Sequence, residues 1–307
     1  MRETVRGRFA PSPSGRMHLG NVACALLAWL SVRSQGGEMV LRIEDLDPDR
    51  CREEYALTLM EDLTWLGLTW DEGPYWQSRR RDLYEKALRA LGKDVYPCFC
   101  TRAQLHAASA PHRGDGVFRY PGTCRNLTPK EIAEKAKTRA PALRWRAPDE
   151  DVLFCDKFRG PQRMNVQETF GDFLVRRSDG VHAYQLAVSV DDAAMGITEV
   201  VRGNDLLPST PCQLLLIRAL QGKAPVYGHV PLLVAPDGRR LSKRERDLDM
   251  GALRDRFSPA QLCGKLAYLL GLIDRPEPVP AKELIPLFPG ADLHRDHLVV
   301  QDDMFLR

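Results

Sequence analysis

Hydrophobic and polar positions change period several times along the chain, and each change predicts an element. Residues 4–9 (TVRGRF) read as a short strand, and Pro11, Pro13 and Gly15 follow as a turn. The apolar run VACALLAWL then falls in a helix expected from about His18 to Ser34 and closed by Gly36-Gly37. EMVLRIEDLD alternates apolar and polar residues as a strand does, with its carboxylates at the C-terminal end. Strand, helix, strand is the start of a parallel sheet in an α/β protein. Helices are expected over about Cys51–Leu66 and Arg79–Leu91. Between about Tyr96 and Arg163 the pattern breaks into scattered Pro, Cys and basic residues and reads as an insertion. FLVRRSDGVHAYQLAVSV then predicts a hairpin turning at Ser178-Asp179-Gly180, ITEVVRG a further strand, and a helix follows Pro208. Finally SPAQLCGKLAYLLGL has Ser258 as cap, Pro259 in the first turn and leucines at helical spacing. The division expected is a split core of residues 1–95 and 164–250, an insertion at 96–163 and a small helical appendix at 251–307.

Composition narrows the class. At roughly 100 to 200 residues per domain, 307 residues hold one large or two ordinary domains. The 44% hydrophobic and 28% charged fractions are those of a soluble protein. No apolar run approaches the roughly 18 residues that span a bilayer, so no membrane partner is expected. MRETVRGRFAPSP lacks the apolar segment of a secretory signal, which predicts a cytoplasmic protein. Eight cysteines in that reducing compartment are expected to be buried, metal-bound or idle rather than paired. The net charge of +3 does not argue for nucleic acid, but RRLSKRER at 239–246 gathers five basic residues and one acid. No sequence feature demands a dimer, and a monomer is expected.

A strand that turns through FAPSPSGRMHLGN directly into a helix presents backbone N–H groups and the positive end of the helix dipole, which suits an anion. The run is neither GxGxxG nor GxxxxGK[ST]. Instead His18-Leu19-Gly20-Asn21 marks the helix start, and far along the chain Arg240-Leu241-Ser242-Lys243-Arg244 supplies a second cationic loop. This pairing resembles the HIGH and KMSKS signatures of class I aminoacyl-tRNA synthetases. RFAPSPSG, RIEDLD and VVRGNDLL make the chain similar to the glutamyl and glutaminyl branch over residues 1 to about 250. Two positions depart from the signatures: Asn21 stands where a second His would fall, and Arg244 where a final Ser would.

The resemblance implies a Rossmann-like parallel sheet and attack of an amino-acid carboxylate on the α-phosphate of ATP, with magnesium accompanying the nucleotide. Charge developing on phosphorus must be met by fixed cations and dipoles. His18 and Lys243 are the catalytic candidates, and Gly20 and Asn21 join them in binding ATP. The resemblance further assigns Arg8, Tyr184 and Arg202 to the side-chain carboxylate of L-glutamate. Ala10, Ser12 and Glu44 fall to the rest of the amino acid, with Ser12 and Glu44 at its ammonium.

A full glutamyl-tRNA synthetase follows its second signature with long stem-contact and anticodon-binding domains, for which the residues after Lys243 leave no room. The chain therefore looks like the short paralogues of that branch, whose acceptor is queuosine in the anticodon loop of tRNA(Asp). The appendix and the basic loop are expected to contact an anticodon stem through phosphates. Two other readings remain: a truncated enzyme charging a tRNA 3′ end, and a catalytically silent glutamate- or RNA-binding paralogue. Within the insertion, Cys98-Phe99-Cys100 and Cys124 suggest one structural zinc, which takes four ligands. His106 and His112 are chemically common fourth ligands, whereas the resemblance implies Tyr120. The other cysteines, Cys24, Cys51, Cys155, Cys212 and Cys263, read as small core residues.

Overall fold

The computed structural model describes residues 4–101, 104, 119–238, 248–290, 293, 297–300 and 304–305. Strand β1 (Arg6–Phe9), helix α1 (Leu19–Arg33), β2 (Glu38–Ile43), α2 (Glu53–Trp65) and β3 (Glu72–Trp76) form a parallel sheet of order β1-β2-β3. Helix α3 (Arg81–Leu91) leads into β4 (Val95–Cys98), which pairs antiparallel with β5 (Ala142–Trp145). β6 (Asp151–Asp156) and β7 (Gly160–Asn165) make a hairpin, and β8 (Phe173–Arg176) completes the antiparallel sheet beside β5. β9 (Glu199–Gly203) and β10 (Val226–Val230) are parallel, as are β11 (Leu232–Val234) and β12 (His297–Val299).

β9 lies against the free edge of β1, where Thr198 N donates to Arg6 O at 2.9 Å and Arg6 N donates to Thr198 Oγ1 at 2.8 Å. β1 thus stands between β2 and β9, and the winding reverses at this strand. In open α/β sheets the crevice beyond the strand ends at such a reversal is where ligands bind. Helix α1 packs on the sheet so closely that a Cβ on Gly7 would meet Val32 Cγ2 at 2.3 Å.

Apolar on nearly every side, α1 is buried on nearly every side. Leu26, Leu27 and Leu30 share one apolar cluster with Leu262, Leu266, Leu284, Phe288 and Phe305. Fully burying such a leucine stabilises by about 1.5–3 kcal/mol. The segment past residue 250 therefore covers the helix that begins the site. It is helical at Met250–Arg256 and Pro259–Leu269, the latter capped by Ser258 as expected. It also contributes β12, a strand absent from the expectation of a purely helical appendix.

The other correction concerns FLVRRSDGVHAYQLAVSV. Its first half is β8 and its turn holds, since Arg177 N donates to Val181 O and Gly180 takes φ +87°. Only one antiparallel bridge, Arg176 to His182, follows, and Tyr184–Ala194 is a helix. Val188 and Val190 gave the run a strand-like look, but burial of every residue from Leu186 to Asp192 explains the missing polar face. All eight cysteines are free. Cys212 and Cys263 are buried and Cys24 and Cys51 partly so, whereas Cys155 is exposed and is not a core residue.

Candidate active site

Strands β1 and β9 deliver their C-terminal ends to one cavity of about 350 Å³. Arg8 enters it from β1, Ala10 and Ser12 from the turn that follows, and His18, Gly20 and Asn21 from the start of α1. Glu44 follows β2, Tyr184 opens the helix Tyr184–Ala194, and Arg202 sits near the end of β9. All nine of these sequence candidates share the cavity. Lys243 lies outside the described residues, as do His106 and His112. Past that second loop, Asp249 forms an antiparallel bridge with His18, and Met250 N donates to Met17 O at 2.8 Å.

His18 is the N-cap of α1. Its Nδ1 accepts from Gly20 N at 3.2 Å, and Asn21 Oδ1 accepts from His18 N at 3.2 Å. With Nδ1 as acceptor, the neutral ring carries its proton on Nε2, the tautomer that donates to a phosphate oxygen. Gly20 leaves room for this cap: a Cβ there would lie 3.1 Å from His18 Cε1 and 3.2 Å from Nδ1, close enough to press the ring back. The departure at Asn21 has a local role, because its amide oxygen secures the backbone of the capping histidine.

Three arginines meet beneath the cavity and their environments differ. Arg42, fully buried, is neutralised by Asp192 at 2.7 Å and Glu44 at 3.1 Å, with Asp191 at 3.8 Å. Burial opposes its charge, but these three acids outweigh burial and raise its pKa. Arg8 Nε lies 3.5 Å from Asp192 Oδ1 and makes no hydrogen bond. Arg202, 4% exposed, is held by neutral acceptors: His229 Nε2 at 3.0 Å, Gln213 Oε1 at 2.8 Å, Thr210 Oγ1 at 2.8 Å and Leu206 O at 3.3 Å. A buried guanidinium without an acid on it favours an anionic ligand. Glu44 is pushed up by burial, against the pull of Arg42 and Arg8. An arriving ammonium would add to that pull and favour the ionised form.

In the antiparallel region Cys98, Cys100 and Cys124 converge, their sulfurs all within 4.8 Å of one another. Cys100 Sγ and Cys124 Sγ are 3.6 Å apart. Tyr120 OH lies 3.5 Å from Cys98 Sγ and 4.0 Å from Cys100 Sγ, and it accepts from Cys124 N at 2.8 Å. A zinc tetrahedron built from bonds of ~2.3 Å to sulfur and ~2.0 Å to oxygen has edges of about 3.8 and 3.5 Å. The donor set therefore fits a metal of that kind. Arg144 Nε donates to Cys98 Sγ at 3.3 Å, and its guanidinium lies 3.7 Å from the Tyr120 ring centroid.

Residues 4–271 match the family described as tRNA synthetases class I (E and Q), catalytic domain. The chain belongs to that family. The synthetase is 52% identical to a glutamyl-Q tRNA(Asp) synthetase of Symbiobacterium thermophilum, over 94% of each chain. It is 50% identical to a protein of the same name from Nitratidesulfovibrio vulgaris, over 99% of this chain and 98% of the other. The crystal structure of a glutamate tRNA ligase from Elizabethkingia meningosepticum, in complex with its amino acid, superposes with a TM-score of 0.81. That match is at 29% identity and covers 98% of this chain and 68% of the other.

The synthetase is thus a ligase-type aminoacyl transferase, and no described helix is long and apolar enough to cross a membrane. Sequence reasoning did not single out Arg42, Asp156, Asp192, Gln213 or His229. The acid pair Asp191-Asp192 inside the apolar run AVSVDDAA was the available signal, since buried acids need a buried cation.

Proposed function

We propose that the protein activates L-glutamate with ATP and magnesium to glutamyl-adenylate and transfers the glutamyl group to queuosine in the anticodon loop of tRNA(Asp), acting in the cytoplasm as a monomer. The observation that carries this reading is the buried Arg202, gripped by neutral groups in the same cavity as Arg8 and His18. A cation so placed favours a side-chain carboxylate over an amide, because glutamine would leave Arg202 without a charge partner. Near-complete coverage of two proteins called glutamyl-Q tRNA(Asp) synthetase supports the choice of acceptor.

In the first step an oxygen of the α-carboxylate forms a bond to the α-phosphorus of ATP, and the bond to the bridging oxygen breaks to release pyrophosphate. Glu44 and Ser12 would hold the ammonium, and Arg8, Arg202 and Tyr184 the side chain, with Ala10 against its stem. His18 Nε2–H and the N–H groups at the start of α1 would meet charge on the phosphates, with Gly20 and Asn21 fixing the ring and Lys243 adding a further cation. In the second step a hydroxyl of the queuosine cyclopentenediol attacks the adenylate carbonyl and AMP leaves. Cys98, Cys100, Tyr120 and Cys124 would hold one structural zinc, which staples residues 96–163. RNA contact is assigned to 239–246 and to 251–307.

ATP–pyrophosphate exchange without RNA, using glutamate, glutamine and aspartate, tests the first step. Transfer of labelled glutamate to tRNA(Asp) with and without queuosine tests the second. Exchange with glutamate alone and transfer only to the queuosine-bearing RNA are the expected results. Transfer to RNA lacking queuosine would overturn the acceptor assignment.

A further inference from the structure

The grip on Arg202 continues outward through two residues that do not line the cavity. His229 lies on β10 beside Arg202 on β9, at paired positions of the parallel register. Its Nε2 accepts from Arg202 Nε at 3.0 Å, and its Nδ1 is 2.6 Å from Asp156 Oδ2. Asp156 ends β6, and its other oxygen, Oδ1, accepts from the backbone N–H groups of Phe158 at 3.0 Å, Arg159 at 3.0 Å and His229 at 3.1 Å. Both side chains are buried. Thr210 Oγ1, 3.3 Å from His229 Nε2, accepts from Arg202 Nη2, which leaves its own hydrogen to point at the imidazole.

Proton placement along this chain is forced. Arg202 Nε can only donate, so His229 Nε2 must carry a lone pair and Nδ1 the proton. Asp156, ionised, is the group that holds the proton on Nδ1. Had an acid gripped Arg202 directly, as Asp192 grips Arg42, the guanidinium would be neutralised in place. A neutral imidazole fixes its plane and leaves its charge for the ligand.

We propose that Asp156 and His229 are positioning residues for substrate selection: Asp156 sets the His229 tautomer, and the tautomer holds Arg202 in the orientation that receives the side-chain carboxylate. This rests on the glutamate reading above.

The test is Asp156→Asn. The asparagine oxygen is obliged to keep the three backbone N–H bonds, so its NH₂ faces His229 Nδ1. The ring must then carry its proton on Nε2, against Arg202 Nε–H. Size and the backbone bonds are preserved while the tautomer inverts. In exchange assays the expected result is a rise in glutamate KM of about 10- to 100-fold. ATP KM should stay within about two-fold, and the preference for glutamate over glutamine should fall. His229→Gln, which keeps a neutral acceptor but loses the ring, should raise glutamate KM less than Asp156→Asn. Thermal unfolding is followed for both. A purely structural role predicts the reverse order, with the isosteric change tolerated and loss of the ring harmful. Wild-type glutamate KM in Asp156→Asn overturns the proposal alone. A wild-type protein with no glutamate-dependent exchange overturns the substrate reading and this proposal with it.

Discussion

Gly20→Ala separates the cap on α1 from the stability of that helix. Gly20 is the second residue of α1, and its N–H is held by His18 Nδ1 at 3.2 Å. An added methyl would lie 3.1 Å from Cε1 and 3.2 Å from Nδ1 of that ring. Carbon contacts settle at about 3.5–4.0 Å, so the imidazole must retreat by a few tenths of an ångström. Helix propensity pulls the other way, because alanine in a helix is favoured over glycine by about 1 kcal/mol. The variant should therefore melt at or slightly above the parent temperature. A misplacement of ~1 Å in a reacting group costs about 100-fold, so a few tenths should cost roughly 3- to 10-fold in kcat. That corresponds to about 0.7–1.4 kcal/mol of barrier. Pyrophosphate exchange at saturating glutamate and ATP, alongside a melting curve, reads both quantities. Full kcat with unchanged melting would refute the assignment of the His18 ring to the phosphates.

Arg42→Met should destabilise the fold by about 3–5 kcal/mol, because it takes the shared cation from the buried Asp192 and Glu44; chemical denaturation measures it, and a loss below ~1 kcal/mol contradicts the reading. Glutamate affinity should fade on acidification at a pH above the ordinary range of an exposed glutamate, since burial raises the Glu44 pKa and only its ionised form pairs with an ammonium. Calorimetric titration across pH follows this, and Glu44→Gln should bind weakly with that limb of the profile gone. The purified protein should carry about one zinc per chain, and Cys124→Ser should lose it and melt lower; elemental analysis finding well under one zinc in the gently handled parent would remove the metal assignment.

What the sequence discloses here depends on how far its partners lie apart. The turn from Phe9 to Asn21 is self-contained, with its strand end, cap and helix start contiguous, so its place at the cavity could be expected from the sequence. The thiols of Cys98, Cys100 and Cys124 are close enough in sequence for spacing to speak. Asp156 and His229 lie in different segments, and neither alone differs from an ordinary strand residue. The helix Tyr184–Ala194 was misread because period carries information only when one face meets water, and here Leu186 to Asp192 are all buried. The same reason hides Arg42: on β2 it occupies a polar position of an alternating pattern yet is fully buried against Glu44 and two acids of the helix Tyr184–Ala194.

The cover that Leu262, Leu266, Leu284, Phe288 and Phe305 lay over α1 has a consequence for synthesis on the ribosome. At ~5–20 residues per second, roughly 10–50 s separate the emergence of α1 from that of the leucines and phenylalanines that bury its outer side. During this interval the strand end and helix start that line the cavity have their sheet but not their roof. The nascent chain must wait with an apolar helix uncovered, which makes the early product a natural client for a chaperone that binds such surfaces. Synonymous changes that slow the last third of the message would lengthen that exposure without altering a single residue.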